Sequence, residues 1–201
     1  MMKVRGEAVL SIPIFILKKF GRKEYNRWLD SLSIEARKVY SSPIHKGDWF
    51  PLTEIMTEPT IKICELFFKN SKRGAWICGR YSAEYGLKGV YKIFVKLCSP
   101  KILIKKASSI ISLYYNPSEV EIVEDGKNYA VVHIKKFSEM DKVIEYRIAG
   151  WMERAAEICG CKNVSVIITK SLTENDPFTE YKVSWKTSQL FERKRVINSS
   201  S

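Results

Sequence analysis

The chain has 201 residues, 45% hydrophobic and 28% charged, an ordinary globular composition that supplies a core and excludes a disordered or low-complexity chain. A formal net charge of +12 attracts anionic partners such as nucleic acid, acidic lipid or an acidic protein, but says nothing about fold. Five scattered cysteines (Cys64, Cys78, Cys98, Cys159 and Cys161) suit buried reduced thiols better than a disulfide framework.

The first apolar run, Ile12 to Leu17, is too short to span a bilayer. Lys18-Lys19 follows it, not a small-residue cleavage site, so a cytoplasmic location is expected. Pro13 predicts that the first helix starts near it, since proline is tolerated in a first turn and not in a helix interior; Gly21 sits where a C-terminal cap belongs. The spacing of Tyr25, Trp28, Leu29 and Leu32 predicts a second helix from about Lys23 to Leu32. Ser33 can cap a third that runs to Tyr40. Ser41 to Trp49 reads as a loop.

From Pro51 to Asn70 the pattern is again helical, kinked or split at Pro59. Asn70 to Gly74 is a turn, a helix is expected from about Ser82 to Leu97, and Ser99-Pro100 separates it from another over Lys101 to Tyr115. The period then changes to two. Val120 and Ile122 alternate with charges, Asp125-Gly126 supplies a hairpin turn, and Tyr129 to Phe137 is rich in β-formers. An amphipathic helix over Met140 to Cys159 places Ile144, Ile148, Trp151, Met152 and Ala155 on one face, with Gly160 to stop it. Two strands follow, Val164 to Thr169 and Thr179 to Trp185. In the second, Thr179, Tyr181, Val183 and Trp185 share one face and Glu180, Lys182 and Ser184 the other, a sheet with one wet side. The expected class is α+β, a helical N-terminal half (residues 1–50 a helical subregion) followed by an antiparallel sheet built as hairpin–helix–hairpin. One domain over 1–190 and a polar tail over 191–201 account for the chain.

Motifs for catalysis are missing. Of two histidines, His45 falls in a loop and His133 inside a strand, where an ordinary sheet role is commoner than a catalytic one. There is no phosphate-binding glycine loop, nucleophile elbow or metalloprotease helix. Cys159-Gly160-Cys161 lacks the further ligands a zinc site needs, so no metal or cofactor is expected from the residues. Two features stand out. Gly86 to Ser118 has no Asp or Glu, and Lys88, Lys92 and Lys96 fall four apart on one helix side, followed by Lys105. This stripe is either a solvated face, with the acids of Glu119 to Asp125 folded back on it, or an anion-binding surface for an acidic protein, nucleic acid or anionic membrane. Between Gly74 and Gly86, glycines crowd among Trp76, Tyr81 and Tyr85, which permits close backbone approach between elements or around a ligand.

In order and spacing these residues resemble the superfamily that unites haem–nitric-oxide/oxygen-binding domains, vinyl-reductase-type ligand-binding domains and transport-particle subunits. Val4-Arg5-Gly6 with the helix to Phe20-Gly21 is similar to the opening of the haem branch. Trp76 to Gly86, Ser99-Pro100 and the hairpin–helix–hairpin follow the same order, and Asn175-Asp176-Pro177 leading into Tyr181 to Trp185 resembles the last hairpin of the vinyl-reductase-type branch. The likeness runs from Val4 to Trp185. It implies an internal apolar pocket between helices and sheet, which in other branches holds haem, aromatic compounds or an acyl chain, and a tendency to dimerise. Two departures bear on haem. No His lies between His45 and His133 to act as a proximal ligand, and there is no Tyr-x-Ser-x-Arg clasp for the propionates. Phe178 and Thr179 stand where some regulator relatives carry cysteines.

The reading is therefore a non-enzymatic sensing or adaptor domain for an apolar or acyl-type small molecule, without haem. Trp76, Tyr85, Phe94, Cys98 and Trp151 are the expected pocket residues. Its rivals are a basic module using Lys88, Lys92, Lys96 and Lys105, and an enzyme of unrecognised class.

Overall fold

In the computed structural model, which describes residues 1–87 and 109–186, a short strand β1 (Lys3–Arg5) passes directly into helix α1 (Gly6–Asp30). The helix starts well before Pro13, against the expectation from sequence. Its first turn is held from outside. The Gly6 and Glu7 amides donate to the Asp48 and Lys46 carbonyls at 2.8 and 3.2 Å, while Val9 and Ile12 are buried in the core. Burial of that face outweighs the one intrahelical hydrogen bond that Pro13 removes. The helix breaks at Gly21, whose φ of 86° and ψ of 177° only glycine adopts readily, then resumes to Asp30.

Helix α2 (Ile34–Tyr40) is capped as expected, with the Ser33 hydroxyl accepting from the Ala36 amide. Aromatic residues tie these helices to the next segment. The Trp28 indole donates to the Pro59 carbonyl at 3.1 Å, and the Tyr40 hydroxyl donates to that of Ile55 at 2.6 Å. After strand β2 (Trp49–Pro51) the chain makes a π-helical turn (Thr53–Thr57) and enters α3 (Glu58–Phe68), so the split at Pro59 is realised as a change of helix type with proline in the new first turn.

Helix α4 (Arg73–Leu87) departs most from expectation: it begins at Arg73, not Ser82. Gly74 and Gly79 lower its intrinsic propensity but serve its packing. A Cβ on Gly79 would lie 1.9 Å from the Arg147 carbonyl oxygen, and one on Gly150 would lie 2.0 Å from that of Trp76. Glycine on each helix thus lets the two backbones touch where α4 crosses α5 (Lys142–Ile158). The rest of the helix expected to Leu97, most of that from Lys101, and the tail fall at 88–108 and 187–201, outside the described residues; 109–114 are helical.

Strands form two sheets. The first, in the order β2-β1-β3 with β3 (Tyr115–Asn116), was not foreseen from sequence. Its strands are two or three residues long, too short to display alternation. The second contains β4 (Val120–Asp125), β5 (Tyr129–Ile134), β6 (Lys162–Lys170) and β7 (Thr179–Lys186), antiparallel in the order β4-β5-β7-β6. β4 and β5 form the expected hairpin at Asp125-Gly126, with β5 ending at Ile134. In β7, Thr179, Tyr181, Val183 and Trp185 are buried while Lys182, Ser184 and Lys186 are exposed. α5 begins at the Asp141 cap, whose carboxylate accepts from the Val143 amide at 2.8 Å, and stops before Gly160 (φ 92°). It lies between this sheet and α4 and is buried on more than the one predicted face, with Glu145 and Arg147 inside.

Candidate ligand crevice

The interior placement of α5 buries two of its charged residues, and they fare differently. Glu145 is fully buried yet well supplied: the Ser171 and Thr179 hydroxyls donate to it at 2.7 Å, and the Lys142 ammonium lies 3.5 Å away. This cluster ties α5 to the β6–β7 connection. Arg147 is 2% exposed and has no such support. Its Nη2 donates to the Ser11 hydroxyl of α1 at 3.1 Å; its Nη1 has no hydrogen-bond partner among the described residues. Among the described residues no carboxylate pairs with it. A buried guanidinium without a counter-charge costs several kcal/mol.

Around Arg147 the groups are neutral. The guanidinium lies within hydrogen-bonding reach of the Cys78 thiol and the Tyr115 hydroxyl, neutral groups that solvate it without balancing its charge; burial pushes that thiol up to about 12, and Arg147 opposes the rise. Burial likewise raises Tyr115 against the pull of Arg147. Cys161 is pushed up to about 11 by burial. These thiols are thus protonated at neutral pH, as structural cysteines are.

Arg147 lines a narrow crevice of about 20 Å³, together with Ala8 of α1, Gly79 and Ser82 of α4, Ile110, Ile111, Tyr114 and Tyr115, and Ile148 and Trp151 of α5. Next to it lies a chamber of about 140 Å³ that shares Ile110, Tyr114 and Trp151 and adds Arg5, Glu7, Gly86, Leu87 and Leu113. The two cavities thus share an apolar wall, with the buried guanidinium in the lining of one and the charged pair Arg5 and Glu7 in the lining of the other.

Of the five pocket residues expected from sequence, Trp151 lines both parts of this site. Trp76 lies elsewhere: its indole donates to Glu153 at 2.8 Å, and it lines an open groove with Lys72, Arg73, Arg80 and Tyr146. Tyr85 has the Lys46 ammonium 5.8 Å from its ring centre and lines none of these cavities. Phe94 and Cys98 lie outside the described residues, as do Lys88, Lys92, Lys96 and Lys105. Of the acids invoked to neutralise that stripe, Glu119 pairs with Lys136 and Glu121 with Lys135. Arg147 was missed. The available signal was its place three residues after Ile144 and four before Trp151, on the apolar face of its own helix.

With helices leading into a sheet that α5 covers, the chain has the fold of the haem–nitric-oxide-binding (H-NOX) superfamily. Similar solved structures are the Fe(II) unliganded H-NOX protein of K. algicida (TM-score 0.69, 9% identity, 92% of this chain and 97% of that one) and an H-NOX protein of S. oneidensis in the Fe(II)NO state (0.70, 9%, 91% and 99%). The IWP-051-bound H-NOX of Shewanella woodyi is a third (0.63, 15%, 89% and 93%). At such identities the likeness establishes the fold alone. No protein-family model matches the sequence, and no curated protein matches it.

The fold raises the question of haem, and neither histidine lines the crevice or the chamber. Haem iron is held by an axial side chain, often an imidazole. His45 is exposed in the loop before β2. His133 is engaged on the sheet, its Nε2 2.7 Å from Glu180 and its ring stacked 3.9 Å from Phe178. The crevice and chamber are also smaller than the ~300–1,000 Å³ of sites for drug-sized ligands. Among the described residues no cluster of three His, Cys, Asp or Glu could hold a metal, and no helix is long and apolar enough to cross a membrane.

Proposed function

We propose that this chain is a non-enzymatic sensing or adaptor domain that takes a small apolar or acyl-type molecule, without haem, in the crevice beside α5. The observation that carries the reading is the largely apolar crevice wall of Ile110, Ile111, Tyr114, Ile148 and Trp151, three of which (Ile110, Tyr114 and Trp151) also line a chamber of about 140 Å³. An apolar cavity of ~150 Å³ admits a single benzene ring, so the chamber suits a single ring or a short chain. Two further facts support it. The fold is that of H-NOX proteins, and one of the similar structures, from Shewanella woodyi, carries a bound compound, IWP-051. Ligand-linked change in such a site would act on α1, α4 and α5 together, because all three contribute to its wall.

The test is thermal stability with small neutral apolar molecules, benzyl alcohol and 1-hexanol. A ligand that binds only the folded state raises Tm as its concentration exceeds Kd. Ser82→Trp places a large side chain into the crevice wall. The expected result is a concentration-dependent rise in Tm for the parent chain that is absent in a folded Ser82→Trp variant. No rise with either compound, or an equal rise in the variant, contradicts the reading.

A further inference from the structure

We infer that the crevice binds its ligand as a carboxylate, an anionic head with a single-ring or short-chain apolar body, through the guanidinium of Arg147. The inference rests on the ligand reading above and adds the charge and orientation of the occupant. Three observations carry it. Arg147 is almost fully buried, its Nη1 has no hydrogen-bond partner among the described residues, and it lines the crevice but not the neighbouring chamber to which Arg5 and Glu7 belong.

The interior around it holds hydroxyls and thiols, Ser11, Cys78, Tyr115 and Tyr40, none of which supplies negative charge at neutral pH. A guanidinium keeps its charge in proteins and presents a planar fork that matches a carboxylate. The recess of about 20 Å³ has room for little more than a water-sized group, which suits a carboxylate head and not a ring. The apolar body then lies along Ile148 and Trp151 into the larger chamber. The acid in that chamber, Glu7, lines it together with Arg5 and is not in the lining of the crevice that holds the guanidinium. Glu145, on the same helix, is held by Ser171, Thr179 and Lys142.

The experiment compares benzoate and hexanoate with benzyl alcohol and 1-hexanol by calorimetric titration of the full chain, with acetate and chloride as small-anion controls. A charge-assisted hydrogen bond of about 1.5–3 kcal/mol corresponds to roughly 10- to 100-fold in affinity. Benzoate or hexanoate, whichever the chamber shape selects, is expected to bind tighter than its alcohol by that factor. Arg147→Met should remove the preference while leaving the alcohol bound.

Alcohols that bind as tightly as the carboxylates overturn the inference and leave the ligand reading intact; so does an Arg147→Met variant that keeps the preference. Acetate or chloride binding as well as benzoate overturns the apolar body. Binding of none of the compounds overturns both. If Arg147→Met does not fold, the comparison of each acid with its alcohol on the parent chain decides alone.

Discussion

Arg147 is where sequence and structure differ most in meaning. In the sequence it is one of 34 basic residues, and the ordinary fate of an arginine is a solvated tip on a buried stem. Its burial is a tertiary fact, because α1 and α4 approach α5 closely enough to enclose the guanidinium against Ser11 and Cys78. A buried charge left unpaired destabilises the ligand-free protein, and replacing buried charges by apolar side chains of like volume is often stabilising by about 1–4 kcal/mol. Ligand-free Arg147→Met is therefore expected to melt higher than the parent, by roughly 2–4 °C for each kcal/mol gained in a chain of this size. Calorimetric melting checks this, and a lower Tm contradicts it. His133 was legible as a sheet residue, and in the structure it lies on β5 with its Nε2 2.7 Å from Glu180 and its ring stacked on Phe178.

Among the elements, legibility follows length and period. The alternation of Thr179 to Trp185, the hairpin turn at Asp125-Gly126 and the cap at Ser33 are local signals, and the structure has them. The short sheet β2-β1-β3 and the early start of α1 depend on partners distant in sequence, which local pattern does not contain. Helix α4 was obscured by the residues that make it work. Gly79 and Gly150 cost helix propensity but remove the atoms that would hold α4 and α5 apart. A methyl group at Gly79 meets the backbone of Arg147, which cannot rotate away. Gly79→Ala is expected to lose ~1–3 kcal/mol, as overpacking in tight cores does, against a gain of under about 1 kcal/mol from propensity alone. Urea titration checks the sign: a variant as stable as the parent or more so would show that the crossing yields easily.

For the whole molecule, the resemblance seen in sequence and the fold agree, and the departures seen in sequence matter most for function. The chain has the architecture of H-NOX proteins, but neither of its imidazoles lines the crevice or the chamber. The crevice near α5 is small, and its lining includes a buried cation, Arg147. Of the residues expected in the pocket, Trp151, named from its helical face, lines the crevice, whereas Trp76 donates its indole N–H to Glu153 and lines a separate groove. Separating the two required knowing that the backbones touch at Gly79 and Gly150.

Native mass spectrometry of the freshly purified chain, with and without added benzoate and haemin, tests the haem-free ligand site most directly. The account predicts a one-to-one non-covalent adduct of a small organic molecule, either carried through purification or formed with benzoate, and no stoichiometric adduct with haemin. A chain that stays bare under every condition, or one that takes up porphyrin one to one, would contradict it.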